Sequence, residues 1–224
     1  MTHVDECERH PREAWLINTV GTRNVALLCR RHGLDLVYIS TGSVFDGTKP
    51  VPYHEFDEPN PRSVYSRSKW EGEKAVRELV PHAYVVRAGW MFGGGPEDKK
   101  FVAKMIDLAR EREVLKAVDD KFGTPCSTRD ISRRCLELLA TGRYGTYHAA
   151  NTGMCSRFEM AQAIVEFAGV TTCRVEPCSS TEFPLPAPRP RMEAIEGLQA
   201  ELIGLAPQPH WRDALRDYIQ NVLL

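Results

Sequence analysis

Tyr65-Ser66-Arg67-Ser68-Lys69 sets a phenol and an ammonium four residues apart. On a helix, positions i and i+4 share one face, so the two groups lie together. A hydride delivered to a carbonyl carbon leaves an alkoxide that has to receive a proton. A tyrosine beside a fixed positive charge has its pKa lowered towards working pH, which suits that task. The spacing by itself is weak, because seven tyrosines and eight lysines in 224 residues give about 0.25 chance matches. A second hydroxyl adds to it. Ser40-Thr41 ends the apolar run Leu36-Val37-Tyr38-Ile39, and open α/β sheets bind their ligands at the carboxyl ends of strands. Thr41 could hydrogen-bond a substrate carbonyl there; the plainer alternative is a capping or turn hydroxyl.

The elements around these groups alternate. Residues 11–31 read as one helix, with Pro11 in its first turn and Ala14, Ile17, Gly21, Val25 and Leu28 on one face. Arg23, Arg30 and Arg31 fall away from that stripe, and His32-Gly33 stops it. Residues 36–39 read as a parallel strand buried on both faces. A polar loop through Asp46-Gly47 and Pro50 to Pro61 leads to a helix near residues 63–79, then to a buried strand at Tyr84-Val85-Val86. Further on come a helix at 99–112, a strand at 114–118, a helix at 128–139 and an extended stretch at 145–149. A helix at 156–168 has Ser156 as N-cap and Glu159 completing a capping box. Residues 183–191 hold four prolines and read as a loop, and an amphipathic helix at 211–223 closes the chain. This alternation implies an α/β fold with a mostly parallel sheet, and the more broken second half suits a smaller lobe on it.

Composition excludes several classes. Hydrophobic residues at 42% and charged residues at 26% are ordinary for a globular protein. A net charge of -1 gives no electrostatic reason to expect nucleic acid or an acidic membrane as partner. No apolar run spans a bilayer, and the start MTHVDECERH does not read as a signal peptide. Seven scattered cysteines without a CxxC point to reduced thiols in a cytoplasmic setting, and Cys173 and Cys178 read as two ordinary strand residues. The histidines show no metal-ligand spacing, so no metal is expected.

The ordered set of motifs resembles a known family. Asn18-Thr19-Val20-Gly21-Thr22-Arg23-Asn24, Tyr38-Ile39-Ser40-Thr41, Val44-Phe45-Asp46-Gly47 and the Tyr65 to Lys69 pentapeptide together resemble the extended short-chain dehydrogenase/reductases. Within these the chain looks most like the dTDP-4-dehydrorhamnose reductases. Arg87-Ala88-Gly89-Trp90-Met91-Phe92-Gly93, Asp120-Lys121-Phe122-Gly123-Thr124-Pro125, Gly145-Thr146-Tyr147-His148 and Arg189-Pro190 extend the match along the chain.

The resemblance implies NAD(P)H-dependent reduction of a nucleotide-linked 4-keto sugar. It implies the C-terminal part of a Rossmann-type doubly wound parallel sheet in residues 1–115, without its first strands, and a smaller α/β substrate-binding lobe mainly in 116–224, interleaved with the first. Thr41, Tyr65 and Lys69 match the catalytic set. Tyr65 would donate the proton, Lys69 would hold the nicotinamide ribose and tune Tyr65, and Thr41 would bind the reacting carbonyl. Asn18, Ala88 and Gly89 match positions at the cofactor, with Asn18 equally readable as structural. Thr2, Ser43 and Trp90 match the sugar pocket. The partner is a nucleotide sugar, with homo-oligomerisation left open. A nucleotide-sugar epimerase or dehydratase, and a non-catalytic regulatory subunit of the same fold, are the competing readings.

Two departures matter. The reductases usually read Ser-Thr-Asp-Tyr where this chain has Ser40-Thr41-Gly42-Ser43, so a carboxylate and a phenol are lost near the pocket and the identity of the sugar is put in question. No GxGxxG occurs; Gly93-Gly94-Gly95 continues as Pro96-Glu97-Asp98. The glycine-rich turn that holds NADP or NAD is therefore expected on a segment preceding Met1, roughly 60 residues long from the size of two βαβ units.

Overall fold

A computed structural model of the chain describes residues 1–95 and 100–224. Among these the helices are α1 (Val4–Arg9), α2 (Pro11–Trp15), α3 (Thr22–His32), α4 (Val64–Leu79) and α5 (Phe101–Glu111), then α6 (Thr128–Thr141), α7 (Arg157–Phe167), α8 (Leu198–Leu202) and α9 (Trp211–Tyr218). The strands are β1 (Leu36–Thr41), β2 (Ala83–Ala88), β3 (Trp90–Phe92), β4 (Val114–Val118), β5 (Phe122–Gly123), β6 (Pro125–Ser127), β7 (Gly145–Ala149), β8 (Cys155–Ser156) and β9 (Arg174–Cys178).

Three strands make the main sheet, in the order β1-β2-β7, all parallel. β2 is buried along its whole length, and its side chains alternate between two cores as a pleated strand requires. Ala83 and Val85 join Ala26, Cys29, Val76 and Leu79 of α3 and α4 on one face. Tyr84, Val86 and Ala88 join Val44, Phe45, Ile131, Leu138 and Tyr147 on the other. A third core is built from Phe92, Met105, Leu115, Ile164, Trp211 and Ile219. The parallel pair β4–β9 contributes Leu115 and Ala117 to it, with Val175 packed against them. Two short pairs complete the strands, β3–β6 parallel and β5–β8 antiparallel.

Most of the expected elements form. The capping box of Ser156 and Glu159 is present, with each side chain bonded to the other residue's backbone N–H. The helix expected at 99–112 is α5; Lys99 lies outside the described residues. α9 continues as a π-helical turn, Ile219–Leu223. Sequence periodicity gave no sign of α1 or of the two- and three-residue strands, which are too short to carry a period.

Two expectations are corrected. Residues 11–31 do not form a uniform α-helix burying the Ala14-Ile17-Gly21-Val25-Leu28 stripe. A π-helical turn, Leu16–Gly21, separates α2 from α3. The wider turn shifts the register by a residue, so Ala14, Asn18, Ala26 and Cys29 face inward. Ile17, Val25 and Leu28 are 46%, 49% and 55% exposed. Nor is β1 buried on both faces. Among the described residues it pairs with β2 alone, Leu36 to Tyr38 are half-buried and Ile39 is 38% exposed. The exposed stripe and the strand meet: Ile17, Gly21, Thr22 and Val25 face Leu36, Val37 and Tyr38 across an open, largely apolar concavity.

Candidate active site

Helix α4 starts where Ser63 caps it. Its hydroxyl accepts from the Ser66 N–H (3.1 Å) while the Ser66 hydroxyl accepts from the Ser63 N–H (3.1 Å). This fixes the first turn, and with it Tyr65, against the end of β1. Lys69 follows one turn later. The motif around Asn18 anchors the same stretch: Asn18 Nδ2 donates to Ser68 Oγ (3.0 Å) and Thr19 Oγ1 donates to Ser68 O (2.9 Å). Asn18 is thus a buried strut between the π-helical turn and the residue before Lys69.

Thr41 is the last residue of β1 and stands beside Ala88, the last of β2. It takes the capping role. Its Oγ1 accepts from the Ser43 N–H (3.1 Å), capping the 3-10 turn Gly42–Val44, and the hydroxyl lies beside the Tyr65 phenol. Burial pushes that phenol up to about 12, Thr41 eases it down, and the negative charge of Glu193 adds to the rise. The expected lowering by Lys69 is therefore corrected. The ammonium is turned to the outer edge of β1, where Nζ donates to Ile39 O (2.8 Å) and sits 4.1 Å from the centre of the Tyr38 ring. Burial lowers Lys69 to about 8, against an opposing pull from Glu73.

Trp90 and Ser43 converge on a residue that sequence spacing did not single out. Ser43 Oγ donates to Glu193 Oε1 (2.7 Å) and Trp90 Nε1 donates to Glu193 Oε2 (3.1 Å). The Arg157 guanidinium stacks on the Trp90 ring at 3.5 Å. Glu193 is 150 and 103 residues from its two partners, so no local pattern could have exposed it; the only pointer was its position just after Arg189-Pro190. Gly89 is explained by close approach, since a Cβ there would lie 2.3 Å from Thr124 O. Thr2 is exposed just before His3, the N-cap of α1, and makes no hydrogen bond to the other site residues.

Beneath the site lies a buried polar chain. Ser40 Oγ donates to Glu73 Oε1 (2.5 Å), Arg87 forks onto both Glu73 oxygens (Nε to Oε1 3.1 Å, Nη2 to Oε2 2.8 Å), and Arg87 Nη1 reaches His148 Nε2 (3.4 Å). It ties β1, α4, β2 and β7 together directly under Thr41. His148 Nδ1 faces two carbonyls, Glu196 O at 3.0 Å and Tyr53 O at 3.2 Å, so it carries the proton and Nε2 accepts from the guanidinium.

A parallel sheet that presents a hydroxyl, a phenol and an ammonium at the carboxyl end of one strand defines the class, an extended short-chain dehydrogenase/reductase. Residues 1–224 match the family model of the RmlD substrate binding domain, and the chain belongs to that family. A dTDP-4-dehydrorhamnose reductase of Mycobacterium tuberculosis is 42% identical over 219 residues, covering 96% of this chain and 72% of the relative. The spore coat polysaccharide biosynthesis protein SpsK of Bacillus subtilis is 36% identical, covering 98% and 76%. Among solved structures, the dTDP-4-dehydrorhamnose reductase of Bacillus anthracis in complex with NADP superposes with a TM-score of 0.94 at 38% identity, covering 98% of this chain and 77% of that one.

Proposed function

We propose that these residues form the catalytic and sugar-binding part of an NADPH-dependent reductase of a dTDP-linked 4-keto sugar, of the dTDP-4-dehydrorhamnose type. The observation that carries the reading is the Thr41 hydroxyl beside the Tyr65 phenol at the carboxyl end of β1, with Lys69 one turn further along the same helix. NADPH supplies the hydride when bound. Tyr65, held protonated by burial, gives its proton to the carbonyl oxygen as charge develops there. Thr41 orients that oxygen. Lys69 uses one of its three N–H donors on Ile39 O, which leaves two for the hydroxyls of the nicotinamide ribose. Asn18 positions Lys69 through Ser68, and Ala88 and Gly89 offer backbone at the same strand ends.

Trp90 and Ser43 line the sugar pocket, with the Arg157 guanidinium stacked on the Trp90 ring. On this reading residues 1–115 belong chiefly to the cofactor half and 116–224 chiefly to the substrate lobe. Neither a regulatory subunit nor an epimerase is favoured, because the reacting set is intact and the relatives above that carry an enzymatic name are reductases.

The test is NADPH oxidation by the natural gene product that contains these residues, with a dTDP-linked 4-keto sugar as acceptor. Tyr65→Phe is expected to lower kcat by about 10²- to 10⁴-fold. Near wild-type turnover in that variant would overturn the assignment.

A further inference from the structure

The Gly42-Ser43 pair gives up the carboxylate that the reductases usually carry after their threonine, and the fold explains why none fits. A Cβ at Gly42 would lie 2.9 Å from Ile195 Cγ2 and 3.3 Å from Glu193 O, so the segment around residues 193–195 occupies the space a side chain would need. The same segment brings its own carboxylate. Glu193 is half-buried, Ser43 binds one of its oxygens and Trp90 the other. A carboxylate offers about four acceptor positions, and these two bonds use two of them. Its charge is felt at the Tyr65 phenol on one side and at the Arg157 guanidinium on the other.

We propose that Glu193 is a specificity-determining residue, supplying from the far end of the chain the pocket carboxylate that Gly42-Ser43 lacks and accepting a hydroxyl of the bound sugar between Ser43, Trp90 and Tyr65. The proposal rests on the dTDP-sugar reading above. Ser43 acts as a positioning residue, because a side chain larger than a hydroxymethyl group would fill the space the carboxylate takes. Trp90 fixes the second oxygen, and Arg157, stacked on its ring, holds the indole in place.

Calorimetric titration of the natural gene product with two probes, dTDP-rhamnose and dTDP, separates the possibilities. Glu193→Gln is expected to weaken dTDP-rhamnose binding about tenfold, the size of a lost charge-assisted hydrogen bond, and to leave dTDP binding unchanged. Ser43→Ala, which keeps the carboxylate but frees one oxygen, is expected to give a smaller loss with the same selectivity. It also serves as the test should the Gln variant not fold. Equal losses for both probes would mark Glu193 as structural and overturn the proposal, as would unchanged affinity for both. A wild-type protein that binds neither probe would overturn the functional reading itself, and this inference with it.

Discussion

Lys69 shows how much a single side chain's surroundings decide. Its ammonium is half-buried, donates to Ile39 O and lies over the Tyr38 ring, and burial brings its pKa down to about 8. It is therefore charged below that value and neutral above it. If it holds ribose hydroxyls as proposed, KM for NADPH should rise as pH passes through about 8, while Tyr65, at about 12, stays protonated throughout. Lys69→Met should raise KM for NADPH and abolish that pH dependence, measured by steady-state kinetics or fluorescence titration. A variant with wild-type affinity and rate would reduce the pair to a packing contact. Residue types and a strand end were enough to single out Thr41, Tyr65 and Lys69 as candidates, and the fold sets Thr41 beside Tyr65. The direction in which Lys69 points was not, because it depends on β1 offering an open carbonyl edge. Glu193 was equally hidden, since its partners Ser43 and Trp90 come from two other regions of the chain.

At the level of elements, the chain Ser40-Glu73-Arg87-His148 joins three strands and a helix through buried polar atoms. Burial, together with the neighbouring Arg87, lowers His148 to about 3. In the unfolded chain a histidine takes up its proton near 6.5. Between those values the unfolded state binds more protons than the folded one, so stability falls as pH falls, by up to about 1.4 kcal/mol per pH unit. His148→Asn keeps a donor for the Glu196 and Tyr53 carbonyls and removes the titration. Urea unfolding at neutral pH and at about pH 5 should show a smaller acid loss in the variant than in the wild type. Equal losses would mean that His148 is not kept neutral. Elements with a long period or a strong cap, such as α4, α7 and β2, were legible beforehand. The π-helical turn was not: Asn18 and Thr19 hold it through Ser68, a contact 50 residues away for Asn18, and Ile17, Val25 and Leu28 of the expected stripe lie exposed.

For the molecule as a whole, that outward stripe and the unpaired side of β1 form one apolar surface, in which Ile17 and Val25 face Leu36 and Val37. A strand edge backed by apolar side chains templates further pairing. The isolated 224-residue chain is therefore expected to self-associate in sedimentation experiments, and Val25→Glu with Leu28→Glu to reduce that association. It is also expected to show no saturable NADPH binding, because these residues contain no GxGxxG turn to meet a pyrophosphate. A monomeric chain that binds NADPH at micromolar levels would contradict both expectations. The strand order has a further consequence, during synthesis. Val85 pairs with Tyr38 behind it in the chain, but its other neighbour, Thr146, comes 61 residues later. At translation rates of about 5–20 residues per second, roughly 3–12 s separate the two strands on the ribosome. Through that interval the β7 side of β2 has no partner from its own sheet. The nascent protein is then most open to capture by chaperones or by a neighbouring chain.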